Sequence, residues 1–188
     1  HDGAKDLENG LVNFIGDPDK RIKEDYLRIL RYIRFFLNYS KNSHDPNIKR
    51  IIRQNINGVI NLSKERLINE LKKIVLSNGF LKINEDEFCR EIILLIFPQL
   101  KNINVFNSFN KYALENYLSQ DFIFLLSLMI IDETDNADYF LYKFNLSNQE
   151  KKRIIFLKNI FSKPLINDIF SEKNLWKVLY YHGEDNLE

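Results

Sequence analysis

The chain is poor in the residues that break helices or staple loops: among 188 residues there are 6 Gly, 4 Pro and 1 Cys. Tight hairpins and barrel corners draw on Gly and Pro, so their scarcity disfavours a turn-rich β architecture and favours long helices. One thiol excludes an internal disulfide. Cys89 lies in the apolar run EFCREIILLIF with no second thiol to share a zinc ion, and it is expected as a buried core residue in a protein of the reducing cytoplasm. Long hydrophobic runs are missing too. The stretch 122–131 is only ten residues, well short of the roughly 18 that span a membrane, so no membrane contact is expected. G-x-S-x-G, G-x-x-x-x-G-K-[ST] and H-E-x-x-H are absent, which removes the commonest nucleophile, phosphate-loop and zinc-protease signatures. His1, His44 and His182 stand far apart in sequence, none at metal-ligand spacing, and each is expected on the surface.

What is present is apolar and helical in pattern. Hydrophobic residues make up 45% and aromatics 13%, enough to build a real core. An all-α fold without a sheet follows. The net charge of +1 hides an asymmetry: residues 1–76 hold 15 Lys and Arg against 10 Asp and Glu, and residues 77–188 hold 12 against 16. A polyanionic partner would therefore belong with the first part.

Residues 3–20 read as turn-rich, ending in Asp17-Pro18, an N-cap followed by proline at the first helical position. A long helix is expected from there to residue 38, with Leu27, Leu30, Ile33 and Leu37 on its packed face. Further helices are expected over 46–62, 63–76, 86–97, 107–118, 121–131, 137–144 and 172–182. Ser147-Asn148-Gln149-Glu150 has capping-box spacing and should open another, to residue 161. The turn at residues 77–79 is expected as the seam between subdomains.

Acidic groups offer little independent chemistry. Asp17-Pro18-Asp19 has the spacing of a magnesium-binding pair, but a proline between the two at a helix start points to capping. The clusters 85–87 and 132–135 sit at helix boundaries, where carboxylates meet the positive end of the helix dipole.

The informative stretch is Gly3-Ala4-Lys5-Asp6-Leu7, then Gly16-Asp17-Pro18, then Arg21-Ile22-Lys23-Glu24-Asp25-Tyr26-Leu27-Arg28-Ile29-Leu30-Arg31, followed by Arg34-Phe35. It resembles the ordered pattern G-x-x-D-L, G-D-P, R-x-x-E-D-x-L-R-x-L-R-x-x-R-F of class II tRNA nucleotidyltransferases and bacterial poly(A) polymerases. Downstream, Ser63-Lys64-Glu65-Arg66-Leu67-Ile68-Asn69-Glu70-Leu71 is similar to that family's S-x-E-R-[IL]-x-x-E-L. The resemblance rests on residues 3–76, and the acidic part adds only compatible helical content.

The resemblance implies that Asp25 and Arg28 form a protein template for the incoming base. Placed i and i+3 on one helix they would share a face. A carboxylate accepts and a guanidinium donates, which matches the amine and ring nitrogen of cytosine and adenine but opposes the polarity of uracil and guanine. It also implies that Glu24 supports Arg28. Arg21, Arg31 and Arg34 would meet phosphate or RNA, Glu65, Arg66 and Glu70 would brace the reading helix, and Gly3 and Asp6 would form a hinge. The resulting division is a hinge over 1–20, a neck over 21–78 and a helical body over 79–188, expected to stop before the family's tail.

The family's catalytic head should precede Gly3, so the chain is expected to be a part of a larger enzyme and inactive by itself. The complete enzyme is expected to use Mg2+, CTP and ATP, and to extend a tRNA or other RNA 3′ end. The competing reading is a free-standing helical RNA-binding or adaptor protein descended from the same family.

Overall fold

The computed structural model describes residues 3–161, and these contain helices and no strand. The helix expected over 172–182 lies outside the described residues.

Ten α-helices follow one another: α1 (Gly3–Asn9), α2 (Pro18–Glu24), α3 (Arg28–Tyr39), α4 (Pro46–Asn55), α5 (Lys64–Val75), α6 (Glu87–Ile96), α7 (Lys111–Glu115), α8 (Phe122–Ile130), α9 (Asn136–Lys143) and α10 (Asn148–Phe161). Short 3-10 turns lie between them. Their starts are chemically marked. Asp17 accepts from the amides of Asp19 and Lys20, Asp45 does the same for Asn47 and Ile48, and Pro18 and Pro46 occupy the first helical positions, where no amide proton is needed. At α10 the capping box closes reciprocally: Ser147 N–H donates to Glu150 Oε2 at 2.7 Å, and Glu150 N–H donates to Ser147 Oγ at 3.2 Å.

α3 buries Ile29, Leu30, Tyr32, Ile33, Phe36 and Leu37 and packs on α5, α6 and the 3-10 turn Asn78–Lys82. α8 is apolar around most of its circumference because it lies inside, against α5, α9 and α10. The buried residues from Ile22 to Leu157 belong to one core. One close backbone approach lies at residues 77–79. The Gly79 amide donates to Asn38 Oδ1 at 3.1 Å, and a Cβ on Gly79 would stand 2.5–2.7 Å from backbone atoms of Leu37 and Asn38.

Four expectations need correction. Residues 3–9 are helical, and the helix ends where Gly10 adopts φ +63°, with Leu11 N–H returning to the Asp6 carbonyl and Gly10 N–H to that of Leu7. The single helix expected over 18–38 is two. The helix expected over 46–62 stops at Asn55 and continues as the 3-10 turn Ile56–Asn61. The helix expected over 107–118 is a 3-10 turn, the five-residue α7 and a second 3-10 turn. Asparagines explain the last, because their side chains compete for backbone groups. Asn110 takes the Ala113 amide, Asn116 the Tyr112 carbonyl, and Asn84 the Ile103 carbonyl.

Candidate functional site

The break between α2 and α3 falls at the family-like motif. Asp25 has extended backbone (φ −155°, ψ 103°), and its Oδ1 accepts the Leu27 amide at 3.1 Å. This side-chain turn captures a donor that a continuous helix would have used. Tyr26 at the break packs so closely over Gly58 that a Cβ there would collide with its ring. Asp25 and Arg28 therefore do not share a helical face. They end one helix and begin the next, joined by a hydrogen bond from the Arg28 amide to the Asp25 carbonyl at 3.0 Å.

Each of the two side chains is held from one side. Arg66, on α5, sets its Nη2 3.0 Å from both carboxylate oxygens of Asp25, and Arg31 Nη1 stands 4.0 Å from Oδ2. Arg28 donates through Nη1 to the Arg21 carbonyl and to Glu24 Oε2, both at 2.8 Å. Arg21 donates to the same Glu24 oxygen at 2.8 Å. The two hydrogens of Arg28 Nη1 are thus spent, while its Nε and Nη2 make no hydrogen bond within the described residues.

Arg21, Arg28 and Arg31 line a cleft of about 250 Å³ with Phe14, Tyr32 and Phe35. Phe14 and Tyr32 are stacked there at 5.5 Å between centroids. Asp25 is not among the lining residues; its carboxylate stands at the break, against Arg66. Arg34 is elsewhere again, with its Nε donating to Glu70 Oε1 at 2.7 Å, and Glu70 is only 2% exposed. Glu65 is exposed and forms no ion pair among the described residues. Gly3 and Asp6 lie in α1, and the Asp6 carbonyl closes that helix.

Asp17 and Asp19 are a poor fit to magnesium. The first caps α2, and the second holds Lys23 Nζ at 2.7 Å and Asn55 Nδ2 at 2.9 Å. Each carboxylate is already committed to local partners, and no metal step is derived from them.

One cluster was not legible in sequence. His44, read as a surface residue, is enclosed: its ring stacks on Phe36 at 3.4 Å and meets Phe88 edge-on at 4.8 Å. Tyr32 Oη lies 2.9 Å from Nδ1, the Asp86 carboxylate 3.0–3.1 Å from Nε2, and Cys89 Sγ 3.6 Å from Nε2. Burial pushes the Cys89 thiol well above its ordinary range, and Asp86 adds to the shift, so the cluster offers no free thiolate. Burial also works to raise Asp86, but the bonds from His44 and the Cys89 amide outweigh it and leave this carboxyl below its usual value. His44 lies 42 and 45 residues from its partners, so only packing of the 40–45 loop on α6 could reveal the set.

No family model matches the chain. A mitochondrial CCA tRNA nucleotidyltransferase 1 of Mus musculus is 32% identical over 161 residues, covering 82% of this chain and 36% of the relative. The Homo sapiens protein of that name is 45% identical over 78 residues, covering 40% of this chain and 18% of the relative. A CCA-adding enzyme of Staphylococcus saprophyticus is 25% identical over 187 residues, covering 99% of this chain and 44% of the relative. The chain thus spans less than half the length of these relatives.

Proposed function

Given that the chain belongs to the family of CCA-adding tRNA nucleotidyltransferases and spans a part of it, we propose that it supplies nucleotide selection and RNA contact in such an enzyme. Asp25 and Arg28 read the base. The observation that carries this reading is the half-used state of Arg28: Nη1 is anchored by Glu24 and the Arg21 carbonyl, and Nε and Nη2 remain for a ring nitrogen. Asp25 is oriented by Arg66 and the Leu27 amide, and its Oδ2 retains accepting capacity for an exocyclic amine.

One acceptor and one donor fork suit cytosine and adenine. Uracil and guanine would set like against like and leave polar groups unpaired, the kind of mismatch that discriminates strongly. The aromatic floor of the cleft gives a base a surface to stack on, and the exposed Arg21 and Arg31 are in place for phosphate. Arg34 is assigned to structure, because its guanidinium serves Glu70. With CTP and ATP as the nucleotides, the RNA is a tRNA 3′ end.

The test is a nucleotide titration of the chain followed by the Arg28 Nε–H signal in NMR spectra. CTP and ATP should shift that signal and those of Phe14 and Phe35, whereas UTP and GTP should not, and Arg28→Ala should remove the response. An equal response to all four nucleotides, or an unchanged response in Arg28→Ala, refutes the reading.

A further inference from the structure

We propose that His44, Asp86 and Cys89 form a binding site for a borderline-soft divalent cation, best matched by zinc, with solvent from the adjoining cleft as the fourth ligand. None of its three ligand residues lines the base-reading cleft, although Tyr32 lines that cleft and also reaches His44, and the site rests on none of the reasoning about nucleotides.

The geometry points to it. The three potential ligand atoms, His44 Nε2, a carboxylate oxygen of Asp86 and Cys89 Sγ, all lie within 4.8 Å of one another. A tetrahedral zinc with ordinary bond lengths separates its nitrogen and oxygen ligands by about 3.3 Å and its nitrogen and sulfur ligands by about 3.6 Å. The corresponding distances here are 3.0–3.1 Å and 3.6 Å. Two edges of a tetrahedral face therefore have nearly the required length already, and the third, between the Asp86 oxygen and Cys89 Sγ, lies within 4.8 Å and closes by up to about 1 Å when the metal binds.

The imidazole is also oriented for the task. Metal-bound histidines hold their second nitrogen on an oxygen, which fixes tautomer and ring plane. Tyr32 Oη does this for Nδ1 at 2.9 Å. When Nδ1–H donates to that oxygen, the Nε2 lone pair faces Asp86 and Cys89. Phe36 on the ring face and Phe88 at its edge prevent the ring from turning away. Asp86 is fixed by the Cys89 amide, which donates to Oδ1 at 2.8 Å, so the α6 cap and the ligand set are the same group.

Access comes from a cleft of about 570 Å³ lined by His44, Lys49, Arg50 and Arg53 among others. Binding is proton-balanced: zinc displaces the Cys89 thiol proton to solvent, and the resulting thiolate and the Asp86 carboxylate neutralise the ion's two charges. The nearby cations tolerate such a site because its net charge with the metal bound is zero.

The test uses the purified, metal-free chain titrated with Co2+ alone. A tetrahedral cobalt spectrum with a thiolate-to-cobalt charge-transfer band at one equivalent is expected, and Zn2+ should displace it. Cys89→Ser should abolish the charge-transfer band. Tyr32→Phe, which removes only the oxygen on Nδ1, should weaken binding about tenfold. Asp86→Asn keeps an oxygen for the Cys89 amide and should fold, yet it should bind cobalt at least about tenfold more weakly, since it removes a charged ligand where Tyr32→Phe removes only a support. Circular dichroism checks that each variant is helical. Absence of the charge-transfer band in the wild-type chain refutes the site, as does unchanged affinity in Asp86→Asn. Should Cys89→Ser fail to fold, the Asp86→Asn comparison decides.

Discussion

The ion pair between Arg34 and Glu70 is the most quantitative test of how this segment is held. Glu70 is 2% exposed and accepts from Arg34 Nε at 2.7 Å, while Lys73, itself well exposed, reaches its other oxygen at 3.7 Å. Arg34→Met removes the near partner and leaves a carboxylate enclosed between α3 and α5. Orphaning one member of a buried pair costs about 3–5 kcal/mol. Lys73 offsets part of this, so a loss of about 3 kcal/mol is expected, or roughly 6–12 °C in melting temperature for a chain of this size. Urea unfolding followed by circular dichroism measures it. The double variant Arg34→Met with Glu70→Leu removes both charges and should recover to within about 1 kcal/mol of wild type, because two apolar groups can replace a buried pair. A single-variant loss below about 0.5 kcal/mol, the scale of a surface pair, would refute the reasoning. So would a double variant as unstable as the single one.

Three further outcomes follow from the same geometry. Gly79→Ala places a methyl group against the backbone of Leu37 and Asn38 and should lower stability by about 1–3 kcal/mol in urea unfolding. Arg66→Ala should change stability by less than about 1 kcal/mol, since Arg66 is well exposed and Asp25 half-buried, but it should weaken the NMR response to CTP by freeing the Asp25 carboxylate. In the metal-free chain the depressed carboxyl of Asp86 contributes stability that is fully present above its unfolded pKa of about 4 and is lost as pH falls through the lower folded value. Asp86→Asn should therefore flatten that part of an acid unfolding curve.

Much of the architecture could be read from residue order. Asp17-Pro18 and Ser147 announce helix starts through chemistry confined to four residues, and those starts are where the structure has them. The all-α class follows from the same local signals. The break at Asp25 was not read from periodicity, because Leu27, Leu30, Ile33 and Leu37 keep three- and four-residue spacing and all are buried; the five-residue step from Ile22 to Leu27 was its one local sign. What decides it is a hydrogen bond that the Leu27 amide donates to the Asp25 carboxylate two residues back, supported by Tyr26 packing on Gly58 and Arg66 arriving from α5. Those contacts span 32 and 41 residues, beyond any local window. His44 is the same lesson at greater distance. An isolated histidine reads as a surface residue until two aromatic rings from α3 and α6 enclose it.

The turn between α2 and α3 gives the Asp25–Arg28 pair a property that a continuous helix would deny it. Two side chains on one helix are separated by a distance fixed by its pitch, about 5–6 Å at i and i+3. Here the Asp25 carboxylate is held by Arg66 of α5 and the Arg28 guanidinium by Glu24 and the Arg21 carbonyl of α2, so the gap between them is set by how α2 and α5 are seated. The pair works as a calliper whose jaws are mounted on different supports. Under the proposed base-reading role, substitutions in α5, or in α4 on which α2 packs, would reset its opening and with it the balance between a pyrimidine and a purine.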